Sequence, residues 1–455
     1  MKKNLGFIVF LGVFLLMCLW PLVGMAIVGP SEAAANEILA APPSLTKPRG
    51  TFNTDVLNDT SDYFNDHFAN RQELITANAK LEAALFGESA SEDVVLGKNG
   101  WLYYASTLDD YLGQDLLSDR EIWSAAHCLA LIEEYANDRG ASFLFTVAPN
   151  KNTLYPENMP DRYLRSEAPG NAERLSEALR GAGVEYADLE AAIGAEDDVL
   201  YQRLDSHWNN LGAALAHDVI LDTLGSNATR FYAPDQFTAA QDHDADLYQM
   251  LYPAGSERDI QFYPVWDYRF TYDSPIRSAE DQMIHTSCAG EDGKLLMFRD
   301  SFGNTLHTFM AESYGAACFS RAMPYDLSLL ESEGADTLVI EIVERNIEWL
   351  AQRAPILPAP VRQITIPETD DDTIRFTLAC SQTGNGMTCC TGNLDSTPDT
   401  DSPIWLVCDG TVYEASPAGS GEQPFTAYLP DQPASVQIMF VQNGTPVISQ
   451  PIPTN

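Results

Sequence analysis

From residue 121 the chain alternates stretches of helical and of strand-like periodicity, and that alternation admits few folds. A helix is expected over 121–139, a strand over 142–148, a helix over 171–179, a strand over 185–189 and a helix over 210–224. Farther on, 294–298 (KLLMF) and 337–343 (TLVIEIV) are short apolar runs of buried-strand length, and 304–314 is amphipathic at helical spacing. Strands separated by helices of this length form crossover units. They are therefore expected to lie parallel in one sheet, with helices covering both faces. Ligands of such sheets bind beyond the carboxyl ends of the strands, so the residues that leave those ends are the first candidates for chemistry.

Two of these exits stand out. Arg299-Asp300-Ser301-Phe302-Gly303 joins the 294–298 strand to the following helix, which puts Ser301 at a strand-to-helix turn. A serine there can present its hydroxyl beside helix N-terminal amides that would hold an oxyanion, although Asp-Ser before a helix is also an ordinary N-cap. Upstream, Asp205-Ser206-His207-Trp208 precedes the helix over 210–224. His207 is alone among seven histidines in having an aspartate two residues before it and an aromatic directly after. In an extended segment positions two apart face the same way, so Asp205 can bond one imidazole nitrogen and leave the other free for a serine. The competing reading is a cap and a packed histidine. Lys151 and Tyr155, in the loop 149–156, and Arg345, after the 337–343 strand, are further candidates for substrate contact. A plain polar loop and a structural salt bridge are their alternatives. Lys151, Arg299 and Arg345 could together form a basic patch for an anionic polymer, and Trp208 is a further candidate for substrate contact. Asp242-His243-Asp244 with Asp246 looks superficially like a metal cluster, but further soft or imidazole ligands at useful spacing are missing, so a solvated acidic loop is expected and no metal. No Gly-rich dinucleotide fingerprint follows a strand, so no cofactor is expected.

Charge and hydropathy place the rest. With 26 basic against 65 acidic residues the net charge is -39, which argues against nucleic-acid binding because phosphate recognition needs a basic face. Apolar residues at 45%, with 20 Phe and 19 Tyr, exclude a disordered chain. Residues 5–28 hold no charged side chain, a run that as a helix spans about 36 Å, enough to cross a bilayer. Lys2 and Lys3 before it favour a single-pass anchor with everything after residue 28 outside the cell. The alternative is a cleaved signal with Ala33-Ala34-Ala35 as the small-residue site. Four segments follow: an anchor over 1–30, a linker over 31–55, a catalytic domain over 56–365 and a C-terminal β domain over 366–455. Within these, an amphipathic helix is expected over 58–85, broken near Asn70, then a hairpin over 94–104 turning at Gly-Lys-Asn-Gly. Residues 231–285 are expected as irregular loops over the active face. Residues 376–455 contain no Lys or Arg and show short alternating runs, which suggests a small β-sandwich. Trp405 or Tyr413 could hold a sugar there, with core packing as the commoner role. Cys380, Cys389, Cys390 and Cys408 crowd this tail and suggest one or two disulfides.

The blocks NDHFANR, VVLGKNGWLYY, VAPNKNTLYPENMP, DSHWNNLGA, DADLYQML, FRDSFGNTL with AESYG, and EIVERN occur in this order over roughly residues 56–350. Together they resemble the alginate O-acetyltransferase-like (AlgJ/AlgX-like, DHHW-motif) branch of the SGNH hydrolases, in which the Asp-x-His block precedes the serine block. The resemblance implies a triad of Asp205, His207 and Ser301. Ser206 stands where members often carry Thr or His. It also implies O-acetyl transfer to an extracellular polysaccharide, with a membrane-bound O-acyltransferase as the source of acetyl groups. A polysaccharide acetylesterase and a non-catalytic polysaccharide-binding or assembly protein are the other readings. The C-terminal β domain lies outside the resemblance.

Overall fold

The structure, a computed structural model, describes residues 2–33, 37–48 and 50–454. Ala34 and Ala35 of the candidate cleavage site fall outside these. Among the described residues the largest sheet has seven strands, in the order Tyr186–Ala187, Ser142–Ala148, Thr337–Val343, Lys294–Phe298, Ala316–Ser320, Met283–Ser287 and Thr271–Tyr272. The first five run parallel; the last two are antiparallel additions at one edge. Every residue of the central strand Thr337–Val343 is buried, which is why it reads as an unbroken apolar run. Its side chains divide by parity: Val339 and Val343 point into one core, Leu338, Ile340 and Ile342 into the other. Helices Asn210–Thr223 and Gly303–Glu312 close the first face; Asp119–Asp138 and Asn171–Ala182 close the second.

Several local features follow directly from sequence. The helices Val56–His67 and Arg71–Phe86 are separated where Asn70 adopts φ +60°, a left-handed conformation that asparagine tolerates. Strands Val94–Leu96 and Leu102–Tyr104 pair across the expected turn, with Asn99 at φ +54°. The N-terminal helix Lys2–Ile27 contains a 22-residue stretch, Gly6–Ile27, long and apolar enough to cross a membrane; its last turns meet the residues before Arg71, the Ala69 amide donating to the Pro21 carbonyl at 3.2 Å and the Trp20 indole to Asn70 Oδ1 at 3.1 Å.

Two expectations need correction. The loop after Ser142–Ala148 contains a helical turn, Lys151–Leu154. The region 231–285 is not merely irregular: Phe237–His243 pairs antiparallel with Asp259–Pro264, Asp246–Leu251 is a short helix, and Met283–Ser287 extends the main sheet. These strands are only partly buried, so they carry no apolar run to betray them.

Residues after 360 form two antiparallel sheets. One pairs Val361–Arg362, Thr411–Ala415, Ile404–Cys408, Ser435–Gln442 and Thr445–Ile448; the other pairs Phe376–Gln382, Thr388–Leu394 and Pro424–Leu429. Ile404, Leu406, Phe425, Ile438 and Phe440 fill one core between them. Cys380 and Cys390 form a disulfide, while Cys389 and Cys408 are free thiols. Trp405 is buried and Tyr413 packs against the core, so neither offers the exposed face a sugar platform needs. Polar contacts tie this part to the α/β part. Arg362 bonds both carboxylate oxygens of Glu134 at 2.5 and 2.6 Å and also meets Glu414, whose other oxygen lies 2.8 Å from His127 Nε2.

Candidate active site

Ser301 sits where the strand Lys294–Phe298 gives way to the helix Gly303–Glu312. The helix has no side-chain cap, and it is the neighbour Asp300 that bonds the backbone of this turn. Asp300 accepts from the Phe302 amide at 2.9 Å and from the Val343 amide at 2.7 Å, which pins the turn to the adjacent strand. Ser301 makes no cap bond; its Oγ lies 2.8 Å from His207 Nε2. Gly303 permits the tight turn, because a Cβ there would fall 2.3 Å from the Arg299 side chain.

His207 and Asp205 lie on a small reversal of the chain. The amides of Gln202 and Asn209 donate to the carbonyls of His207 and Leu200, at 3.0 and 2.9 Å, and draw the segment back on itself. Asp205 Oδ1 then accepts from the His207 amide at 3.0 Å and from His207 Nδ1 at 2.7 Å. A proton on Nδ1 leaves Nε2 to accept from Ser301, the tautomer that the hydrogen-bond network assigns. Trp208 is fully buried; its indole donates to the Phe302 carbonyl at 3.1 Å and its ring meets the Phe302 ring edge-on at 4.9 Å. It therefore joins the histidine segment to the serine turn and faces no ligand.

The acidic stretch expected to be solvated is instead the support of this array. His243 Nε2 lies 3.1 Å from Asp205 Oδ2, and the Asp246 amide donates to the same oxygen at 2.9 Å. Asp246 in turn accepts from the Ser206 amide at 2.8 Å and hydroxyl at 2.5 Å. Sequence reasoning missed both residues because the decisive contact spans about forty positions. The available signal was the aspartate at the start of the apolar helix Asp246–Leu251, inside a block already quoted for the resemblance. The oxygens and nitrogens of Asp205, His207 and Asp246 lie close enough to hold a metal ion, but hydrogen bonds to one another, to Ser206 and to His243 already occupy them.

Electrostatics follows from burial and partners. Burial opposes charge on Asp205, yet the bonds from His207 and His243 hold its carboxyl well below the usual carboxylate range. Burial alone would lower the His207 pKa; the hydrogen bond and charge of Asp205, with Asp246 behind it, reverse this and raise it. His243 is raised for the same reasons, and Asp246 is raised by its burial and by Asp205. The arrangement is an ionised aspartate orienting a basic imidazole toward a serine hydroxyl.

Ser301 opens onto a cleft of about 1020 Å³, also lined by Arg299, Asp300, Glu344 and Arg345. Arg345 has no ion pair among the described residues, contrary to the salt-bridge alternative; its guanidinium lies over the rings of Tyr104 and Phe302 at 5.4 and 5.7 Å. Arg299 reaches the cleft but is 3% exposed, with bonds to the carbonyls of Asp300 and Ala279 at 3.1 and 2.5 Å, and burial brings its pKa down to about 10. Lys151 is 4% exposed. Its ammonium donates to the carbonyls of Gln202, Arg203 and Asp205 at 3.1, 3.2 and 2.5 Å, and burial brings its pKa down to about 8. It holds the Asp205 backbone from beneath and presents no charge to a polymer. Tyr155 is similarly structural: its hydroxyl accepts from the Leu200 amide at 2.9 Å and its ring packs 5.0 Å from that of Trp101. Of the five expected substrate contacts, Arg299 and Arg345 line the cleft, while Lys151, Tyr155 and Trp208 lie in the layer under it.

Residues 94–273 match the family described as SGNH hydrolase-like domain, acetyltransferase AlgX. Among curated proteins, the probable alginate O-acetylase AlgJ of Pseudomonas syringae pv. tomato is 26% identical over 180 residues, 38% of this chain and 44% of that protein. Its namesake from Pseudomonas aeruginosa is 28% identical over 137 residues, 30% of this chain and 34% of that protein. The chain thus spans less than half the length of the curated relatives it matches. Among solved structures, Bacillus cereus PatB1 aligns with 15% identity and a TM-score of 0.44, covering 56% of this chain and 96% of that one. The family match includes Asp205, His207, His243 and Asp246 and ends before Ser301. On these matches the chain has an SGNH-like α/β domain and resembles the alginate O-acetyltransferase-like branch of the SGNH hydrolases, its family-matched segment being residues 94–273.

Proposed function

We propose that this protein transfers acetyl groups to hydroxyls of an extracellular or cell-wall polysaccharide through an acetyl-serine intermediate. The observation that carries the reading is the continuous path from Asp205 through His207 to Ser301, with contacts of 2.7 and 2.8 Å. Ser301 Oγ attacks the carbonyl carbon of the acetyl donor as its proton passes to His207 Nε2. The imidazolium, stabilised by Asp205, returns that proton to the departing donor group, which leaves Ser301 acetylated. A sugar hydroxyl then enters, loses its proton to Nε2 and attacks the acetyl carbon. Ser301 Oγ leaves and recovers the proton, so the enzyme is regenerated. Backbone amides at the Ser301 turn are the candidate oxyanion donors; the Phe302 amide is already committed to Asp300.

In this reading residues 56–365 are the catalytic domain, the N-terminal helix anchors them outside the cell, and a membrane-bound O-acyltransferase supplies acetyl groups. The polysaccharide acceptor is supported by the relatives named alginate O-acetylases, and Arg345 is the residue placed to meet an anionic one. The same openness of the cleft also favours a second reading, an acetylesterase, because water can reach an acetyl-serine as readily as a sugar can.

The test offers the protein a chromogenic acetyl ester, with and without oligosaccharides, and follows acetyl adducts by intact mass. Turnover with an adduct that Ser301→Ala abolishes, and acetyl appearing on sugar faster than on water, is the expected result. Hydrolysis indifferent to sugar would assign an esterase. A folded protein with neither turnover nor adduct, even when supplied with the membrane acyltransferase, would overturn the covalent route and leave a binding role.

A further inference from the structure

Away from the Ser301 cleft, three metal-ligand side chains from three different segments converge. His285 and Cys318 are directly opposite one another on the antiparallel strands Met283–Ser287 and Ala316–Ser320. Glu333, the last residue of the helix Ser328–Glu333, reaches the same point from above. His285 Nε2 and Glu333 Oε1 are 3.3 Å apart, and these atoms and the Cys318 sulfur all lie within 4.8 Å of one another. None of the three lines the Ser301 cleft.

We propose that His285, Cys318 and Glu333 bind one divalent transition-metal ion of the zinc type, with water in the fourth position. The donor set argues for it. Thiolate, imidazole and carboxylate are the three classes that zinc takes, and calcium or magnesium would not select a sulfur. The spacing argues for it as well. Bonds of about 2.1 Å at a tetrahedral centre separate nitrogen and oxygen ligands by roughly 3.4 Å, close to the 3.3 Å between His285 Nε2 and Glu333 Oε1, whose single half-exposed hydrogen bond the ion would replace. Charge balances too, since one thiolate and one carboxylate neutralise a dication beside a neutral imidazole.

Access is adequate for an ion to enter. The side chains of His285 and Glu333 are 36% and 31% exposed, while Cys318, a residue 2% exposed, forms the inner wall. Without metal, burial and the nearby Glu333 push the Cys318 thiol up to about 12, so binding must displace its proton. The bound ion fastens the strand Met283–Ser287 to the helix Ser328–Glu333 across the neighbouring strand. It takes no part in acyl transfer.

The test is a Co²⁺ titration of the full chain in detergent, without an affinity tag, read in the ultraviolet for thiolate-to-cobalt charge transfer and in the visible for tetrahedral d–d bands. One equivalent is expected to produce both. Cys318→Ser should remove the charge-transfer band, and His285→Ala and Glu333→Gln should each weaken binding about tenfold or more. Zn²⁺ should displace the cobalt and bleach the spectrum. Acetyl-ester turnover, where present, should be unchanged in all three variants. Far-UV circular dichroism matching the parent checks that Cys318→Ser is folded, and His285→Ala, at a half-exposed position, gives an independent reading. Absence of any cobalt–thiolate band at micromolar Co²⁺ would overturn the proposal. So would a band that persists in Cys318→Ser, since Cys128, Cys288, Cys389 and Cys408 are also free thiols.

Discussion

Asp205 receives two histidines, and this shapes its chemistry. Each oxygen of the carboxylate is committed, Oδ1 to His207 and Oδ2 to His243 and the Asp246 amide, so its charge is both stabilised and aimed. The base must be neutral to accept the Ser301 proton. Because the His207 pKa is raised, activity should fall on the acid side at a pH above the ordinary histidine value of about 6.5. A kcat/KM profile with an acetyl ester checks this; a limb at or below that value would contradict it. His243→Ala removes a donor that competes for Asp205. The limb should then move to still higher pH, with turnover reduced about tenfold, whereas a merely structural histidine would leave the profile in place. A second residue-scale consequence concerns Glu344, which accepts from the Asn150 amide at 2.6 Å and from Thr153 Oγ at 2.8 Å. Its burial, with Asp110 nearby, pushes its pKa up to about 8. The folded state therefore holds a proton that the unfolded chain has released, over the window from about pH 4.3 to 8. Stability is full below that window and is lost as pH rises through it. Glu344→Gln should flatten the fall in Tm across this range, measured by thermal denaturation in a pH series.

At the scale of elements, the alternation of periodicities marked four of the five parallel strands to within a residue or two, while Ala316–Ser320, a short buried strand with two alanines and a serine, went unmarked. The edge strands and the supporting hairpin Phe237–His243/Asp259–Pro264 escaped because half-exposed strands carry no continuous apolar run. One close approach positions the segment that carries Asp205 and His207. Gly212, in the helix Asn210–Thr223, lies so near the Leu200 carbonyl that a Cβ would come within 2.4 Å of it. A backbone atom cannot yield as a side chain can, so Gly212→Ala should push the helix from the reversal that carries Asp205 and His207. The expected cost is about 2 kcal/mol, with a larger fractional loss of turnover than of folded protein. Trp208→Ala acts from the other side. Removing a fully buried indole that bridges the two motifs should cost about 3–5 kcal/mol in chemical denaturation.

For the molecule as a whole, the C-terminal sheets are joined to the α/β part by a charged network. Arg362 pairs with Glu134 and Glu414, Glu414 with His127, and Arg120 donates to the carbonyls of Thr400 and Ser402 at 3.0 and 2.6 Å. Glu414 is 5% exposed, so Arg362→Ala leaves a buried carboxylate short of a partner. We expect a loss of about 3 kcal/mol and separation of the unfolding of the two parts, seen as non-coincident transitions by tryptophan fluorescence and far-UV circular dichroism. Ester turnover by the folded protein should be unaffected.

Legible in the linear chain were most of the strand-and-helix alternation, the apolar N-terminal helix, the break at Asn70 and the hairpin at Asn99. Each rests on periodicity or on the conformational preference of a single residue, which are local properties. Which polar residues face the cleft and which lie beneath it was fixed by folding alone. Lys151 and Arg345 both follow strands of the same sheet, yet one is closed over by backbone carbonyls and the other stands open over Phe302. The tertiary structure also decided that His243 and Asp246 complete the array, since residues some forty positions apart meet only when the sheet and its covering helices bring them together.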